Sequence, residues 1–407
     1  MEGFRGIHDD PAVRVLLLNC GEQVAIACME LVSLPPDGID EAKRIIGTVT
    51  RTREENIWVH TTHAITTPHA PHAPMGMGGV PLEIGEEEKK TLESKLALYN
   101  GAVMEAVTLA AEEAAGSFRQ AKMGLGTGEC HVNVNRDIAT PHGWWINFAP
   151  DGPSNHTATI LRFEDEQGTP IAALISYGLK PCAIDNSEMD VDNRLVSSDV
   201  PGLACRLLEE QFGAPCLFAM SAAGDQVPLE QAWYDVVEDD GSVSKVDLGV
   251  EAGLEIVDRL GRQMAQELAG VLKETVCDRQ APLIRLDKGS IEWTGKTRNQ
   301  MVPALKVEYT PRGNQRVDVM TMAIGEVALV GVKPEINTPT EAQLQAVSPY
   351  AHTLIMSMVN GGQKYMPDLA SYENGTWEAQ SSMMMPGAAE AWIEEAAGVL
   401  KRMHESI

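Results

Sequence analysis

The chain has 407 residues, 44% hydrophobic and 22% charged, which suffices for a continuous core and excludes a disordered class. Its formal net charge of -26 repels nucleic acid and anionic membrane surfaces, so the expected partners are a small-molecule substrate, a cation or another copy in a homo-oligomer. Seven scattered cysteines without CxxC or CxxH spacing read as reduced thiols. No apolar run approaches the ~20 residues of a membrane helix. Met1-Glu2-Gly3-Phe4-Arg5 lacks the apolar core of a signal peptide, and the expected location is the cytoplasm.

In chain order, Val13–Cys20 and Val24–Leu31 are apolar runs joined by Gly21-Glu22-Gln23, a hairpin pattern. Asp40–Thr48 reads as a helix and Ile57–Thr62 as a strand. A Gly/Pro/Met-rich loop over Thr66–Gly85 precedes a long helix, Glu86–Ala115, with Leu92, Leu96, Tyr99, Val103 and Val107 on one face. Strands are expected at Thr157–Phe163, Ile171–Tyr177 and Cys216–Met220, and helices at Val200–Phe212 and Leu248–Val276. Further strands are expected at Ile291–Trp293, Ala304–Tyr309, Val317–Ile324, Val327–Val332 and Leu354–Val359, before a final helix at Gly387–Met403. This order implies one α/β domain over residues 1–407, with layered mixed sheets flanked by helices.

Polar clusters follow several of these strands, where α/β proteins build sites. The densest runs from Trp58 to His72 and holds His60, His63, His69 and His72, four of the ten histidines. His-rich tracts bind metals and also occur as plain polar loops. His60 and His63 fall on opposite faces of a regular strand, so a shared ion requires a bend. Gly224-Asp225 follows Cys216–Met220, a small-residue turn bearing a carboxylate; an Asx turn is the alternative. Glu335 follows Val327–Val332, and Asn360 to Tyr365 follows Leu354–Val359. Asn135-Arg136 offers a guanidinium to an anionic group.

The order of these motifs resembles the N-terminal catalytic domain of the neutral/alkaline non-lysosomal ceramidase family, over nearly the whole chain. Gly6-Ile7-His8-Asp9-Asp10-Pro11 is similar to that family's opening region, and Thr62-His63-Ala64-Ile65-Thr66-Thr67-Pro68 to its T-H-T-H-S-G-P. The resemblance implies Zn2+ held by His63, Glu335 (in Lys333-Pro334-Glu335) and Tyr365, with Asn135 and Arg136 contacting substrate. Gly224 and Asp225 fall in the family's G-D-V-S-P, and Tyr372, in Tyr372-Glu373-Asn374-Gly375, matches a tyrosine that stabilises the reacting carbonyl. The departures are as informative. Gly178-Leu179-Lys180-Pro181-Cys182 places Lys180 where the family has its second zinc histidine, Val227 stands where the proposed nucleophilic serine belongs, and Ile65 replaces the second histidine of T-H-T-H. The family's C-terminal immunoglobulin-like domain is not expected.

Ceramide is therefore not the expected substrate. The resemblance implies a metal-dependent hydrolase of an amide or related C–N bond, with metal-bound water as nucleophile and Arg136 and Tyr372 placing the carbonyl. Asp185, Glu188, Asp190 and Asp192 favour a small polar metabolite. In the alternative, Lys180 replaces the metal's charge, and the chain is a metal-free lyase or isomerase, or a binding protein.

Overall fold

A computed structural model describes residues 3–68, 85–280 and 282–405. The hairpin forms as expected: Val13–Cys20 pairs antiparallel with Glu22–Met29, and Ile57–Thr61 adds in parallel to complete a three-stranded sheet. A five-stranded sheet runs in the order Cys216–Met220, Pro170–Tyr177, Thr157–Glu164, Lys122–Glu129, Cys277–Gln280. A four-stranded sheet runs Ile284–Lys296, Pro311–Ile324, Val327–Gly331, His352–Met356.

The alternation along each strand sets the layers. Leu161 and Leu174 meet Ile26 and Trp58 of the three-stranded sheet and Leu329 and Met356 of the four-stranded sheet in a shared centre. Ile160 and Ile175, on the opposite face, pack with Leu208, Leu260 and Met264 from the helices Asp199–Phe212 and Val250–Glu274. The three-stranded sheet is covered by Pro36–Thr50 and Glu86–Gly116, and the four-stranded sheet by Ala388–Glu405, whose Trp392 is fully buried. The mixed α/β class is thus as expected, with three sheets inside and helices outside.

Two expectations need correction. Ala304–Tyr309 is not a strand; residues 297–310 cross without regular structure, Val307 packing on Gly375 and the Ala304 backbone on Gly143. Ile291–Trp293 is a fragment of a strand of 13 residues, Ile284–Lys296. The strands Lys122–Glu129, Asn133–Thr140 and Gly143–Ala149 and the helix Thr338–Val347 were not anticipated. No helix among the described residues is long and apolar enough to cross a membrane. None of the seven cysteines is joined in a disulfide.

Candidate active site

Four loops at the carboxyl ends of strands meet at one place, the usual location of α/β sites. They follow Ile57–Thr61, Pro170–Tyr177, Cys216–Met220 and Val327–Gly331, and carry His63, Lys180, Asp225 and Glu335. A short parallel pairing puts Glu335 opposite Tyr365 in register. His63 adopts a left-handed backbone (φ 62°), which a non-glycine residue holds only under constraint from its surroundings. Ile65 N–H donates to Pro181 O at 3.1 Å, fastening the His63 loop to the Lys180 loop.

At the centre, His63 Nδ1 lies 2.9 Å from Glu335 Oε1, and Lys180 Nζ lies 2.9 Å from Glu335 Oε2. Lys180 also donates to Tyr365 Oη at 2.7 Å and lies over its ring. The Lys180 and Glu335 side chains are each 3% exposed, whereas that of His63 is 18% exposed and leads to solvent. Neither contact with Glu335 is aligned as a hydrogen bond, and His63 Nδ1 and Glu335 Oε2 have no aligned partner. Burial works against charge on Glu335, but His63 and Lys180 outweigh it and bring its pKa down to about 2. Burial and Arg136 likewise work against charge on Lys180, yet Glu335 and Tyr365 raise its pKa above the ordinary lysine value. Lys180 is therefore an ammonium. Burial and the Glu335 charge raise the pKa of Tyr365, which stays a neutral phenol.

Arg136 forms the second part. The register slips between Asn135 and Asp137, leaving Arg136 as the bulged residue of its strand, a device that re-aims a side chain. Its guanidinium lies 5.5 Å from the Tyr365 ring centroid and 5.0 Å from that of Trp377, and Nε donates to Glu378 Oε1 at 2.7 Å. A second nitrogen, Nη2, forms an ion pair with the same carboxylate. Burial and Glu378 push the pKa of Asp137 well up.

Other expected residues have structural duties here. Asp225 Oδ1 accepts from Thr338 N at 2.9 Å and Thr338 Oγ1 at 3.0 Å, holding the start of the Thr338–Val347 helix, and Asn135 Nδ2 donates to Asp225 Oδ2 at 3.2 Å. Burial pushes the pKa of Asp225 up to about 7. Gly224 donates to Ile336 O at 2.9 Å, and a Cβ there would lie 2.9 Å from that same oxygen, so only glycine allows this approach behind Glu335. Tyr372 is not brought into the cluster. Its hydroxyl hydrogen-bonds to Met384 O (2.7 Å) and Ser382 Oγ (2.9 Å), and its ring stands edge-on to Tyr309. His60 is a core residue at 0% exposure: Nδ1–H donates to Ser357 O, Nε2 accepts from Met220 N–H, and burial lowers its pKa to about 4. His69 and His72 lie outside the described residues. In the acidic segment, Glu188 accepts from Asn193 and from Val250 N at the start of a helix, while Asp190 and Asp192 are exposed.

Sequence reasoning missed Glu378 and Trp377. The one available signal was Arg136 itself, since a buried guanidinium requires a carboxylate partner. Two clefts among the described residues, of about 750 Å³ beside Trp58 and Arg402 and about 660 Å³ beside Leu17 and Phe163, lie away from these residues.

The donor set does not fit a zinc ion. Zinc takes three or four lone-pair donors. His63, Glu335 and Tyr365 converge, but the next neighbour, Lys180, is an ammonium with no lone pair to offer. That ammonium also places a positive charge 2.9 Å from the carboxylate that would bind the metal. Among the described residues, no three or more His, Cys, Asp or Glu are grouped to hold an ion.

The layers and the loop-borne site define a mixed α/β protein of the neutral ceramidase fold. The neutral ceramidase from Pseudomonas aeruginosa superposes with a TM-score of 0.70 at 14% identity, over 98% of this chain and 73% of that one. A ceramidase complexed with C2 superposes with a TM-score of 0.68 at 14% identity, over 98% of this chain and 74% of that one. No family model matches the sequence, and no curated protein matches it.

Proposed function

We propose that the protein is a hydrolase of an amide or related C–N bond in a small polar metabolite, with the Lys180 ammonium standing where a zinc ion is expected from the resemblance. The observation that carries this is the position of Lys180, 2.9 Å from Glu335 and 2.7 Å from Tyr365 Oη, buried and protonated. Hydrolysis needs a fixed positive charge where the carbonyl oxygen becomes an oxyanion. Lys180 directs one N–H at Tyr365 and lies against the Glu335 charge, which leaves an N–H to serve that oxygen, and the Tyr365 O–H adds a second donor.

His63 is the base in this reading. The Glu335 carboxylate lies 2.9 Å from its Nδ1, leaving Nε2 to take a proton from water. The water oxygen bonds to the carbonyl carbon, the C–N bond breaks, and His63 returns the proton to the leaving amine. Arg136, held by Glu378 between two aromatic rings, positions the substrate's far end.

Amine release from a panel of N-acyl amino acids and primary amides tests the reading, in wild type and in His63→Gln and Lys180→Met variants. Release that resists chelators and is lost in both variants supports it. Release abolished by chelation and restored by zinc overturns the role of Lys180, and release unchanged in His63→Gln overturns that of the base. A binding site without catalysis is favoured by one observation, the neutralisation of Arg136 by Glu378; ligand retention without turnover in this panel selects it.

A further inference from the structure

Val13–Cys20 lies at the edge of its sheet. It pairs on one side with Glu22–Met29, in register without a break, and no strand lies on its other side among the described residues. Alternate residues of such a strand turn both N–H and C=O away from the ladder. Among the described residues, nothing bonds to those outward groups over residues 13–19. Proteins blunt exposed edges with prolines, bulges or outward charges. This strand, VRVLLLNC, has no proline and no bulge, and its one charge, Arg14, turns to Glu30 and Glu209 at 2.6 Å each.

The layers on both faces of this edge continue past it. Val13, Val15 and Leu17 pack toward the helix Glu86–Gly116, and Leu16 and Leu18 toward the five-stranded sheet. Around the free edge, Ala110, Ala114 and Phe118 line one side of the cleft of about 660 Å³, and Phe163, Ile171 and Leu217 the other. All eight residues of the strand line it as well. The cleft thus sits where the next strand of the three-stranded sheet would lie, and its volume is that of a ligand site.

The cations of the lining are each answered by an acid: Arg14 as above, Arg119 by Asp165 at 4.0 Å and Lys122 by Glu164 at 3.3 Å. The slot therefore combines apolar walls and unpaired backbone groups with compensated cations, in a chain of net charge -26. An acidic partner is repelled, and a lipid chain leaves the backbone edge unsatisfied. The same strand of a second copy carries its own helix and sheet on its two faces, which are too thick to enter between these walls.

We infer that Val13–Cys20 is a docking edge for an extended, apolar, uncharged peptide segment of another protein, which adds as a fourth strand. Its main chain bonds to the free edge, and its alternate side chains meet the two walls. This inference is independent of the hydrolase reading.

Fluorescence anisotropy of the full chain with a capped, fluorescein-labelled peptide of alternating valine and threonine tests the slot. Saturable binding is expected. N-methylation of one alternate set of peptide residues should weaken it about tenfold or more, and N-methylation of the other set should leave it unchanged, because only one set faces the edge. Ala114→Trp, which fills the slot, should abolish binding, and Ala97→Trp, at an exposed position of the same helix, should not. No saturable binding, or equal effects of the two N-methylated peptides, overturns the proposal. Displacement of the peptide by decanoate, which has no amide, assigns the slot to an apolar chain and overturns it too. So does a dimer in sedimentation that Ala114→Trp disperses, since a second copy then holds the edge.

Discussion

Replacing Lys180 with methionine leaves the Glu335 carboxylate buried with only His63 beside it. Both members of the ion pair are 3% exposed and 2.9 Å apart, so at an effective dielectric of ~20 their attraction is roughly 6 kcal/mol. His63 keeps part of the compensation and methionine fills the volume, which brings the expected loss to about 3–5 kcal/mol, the range for removing one partner of a buried pair. Taking ~4 kcal/mol against an unfolding entropy of ~0.85 kcal/mol/K for this length gives a Tm lower by about 5 °C. Calorimetry on wild type, Lys180→Met, Glu335→Gln and the double variant reads this out. The double variant leaves no unpaired charge and should recover ~2 kcal/mol or more relative to additivity. A Tm for Lys180→Met within a degree or so of wild type, or strictly additive losses, would refute the pairing.

His60 offers a pH test. Its folded pKa of about 4 lies below the ordinary histidine value, so its contribution is complete above pH ~6.5 and is lost as pH falls toward 4, by up to ~3 kcal/mol. The wild-type Tm should fall more steeply than that of His60→Leu across this window; parallel curves would contradict the buried neutral imidazole. Gly224→Ala drives a Cβ onto Ile336 O and should cost ~1–3 kcal/mol while displacing Glu335, whereas Gly270→Ala, in open space on a helix, should be neutral or stabilising by chemical denaturation. Lys180→His supplies the missing donor: zinc at a hundredfold excess over its Kd should raise the variant's stability by ~2.7 kcal/mol and leave the wild type unmoved.

Much of the fold was legible because strand alternation and helical periodicity coincide with burial. The hairpin at Val13–Cys20 and the Cys216–Met220 strand are examples. The Lys122–Glu129 strand escaped notice for a physical reason. Its face toward the Val250–Glu274 helix and the turn after it is Gly124, Gly126 and Gly128, where a Cβ would strike Val276, Thr275 and Val271. Local sequence reads as a turn, and the packing that makes it a strand comes from residues 140 or more positions away. Ala304–Tyr309 shows the converse, since its apolar residues pack against Gly143 and Gly375 instead of joining a ladder. In the site, His63, Glu335 and Tyr365 were legible from the order of motifs, and they do converge with Lys180. Glu378 was not, because one acidic residue in a five-residue helix carries no local signal.

The central claim is that an ammonium replaces a metal ion at Glu335. Elemental analysis of protein purified without chelator, after exchange into buffer containing zinc, tests it most directly. Wild type is expected to retain well under one zinc per chain, and Lys180→His to retain one. A full equivalent of zinc in the wild type, lost on mutation of His63 or Glu335, would contradict the claim.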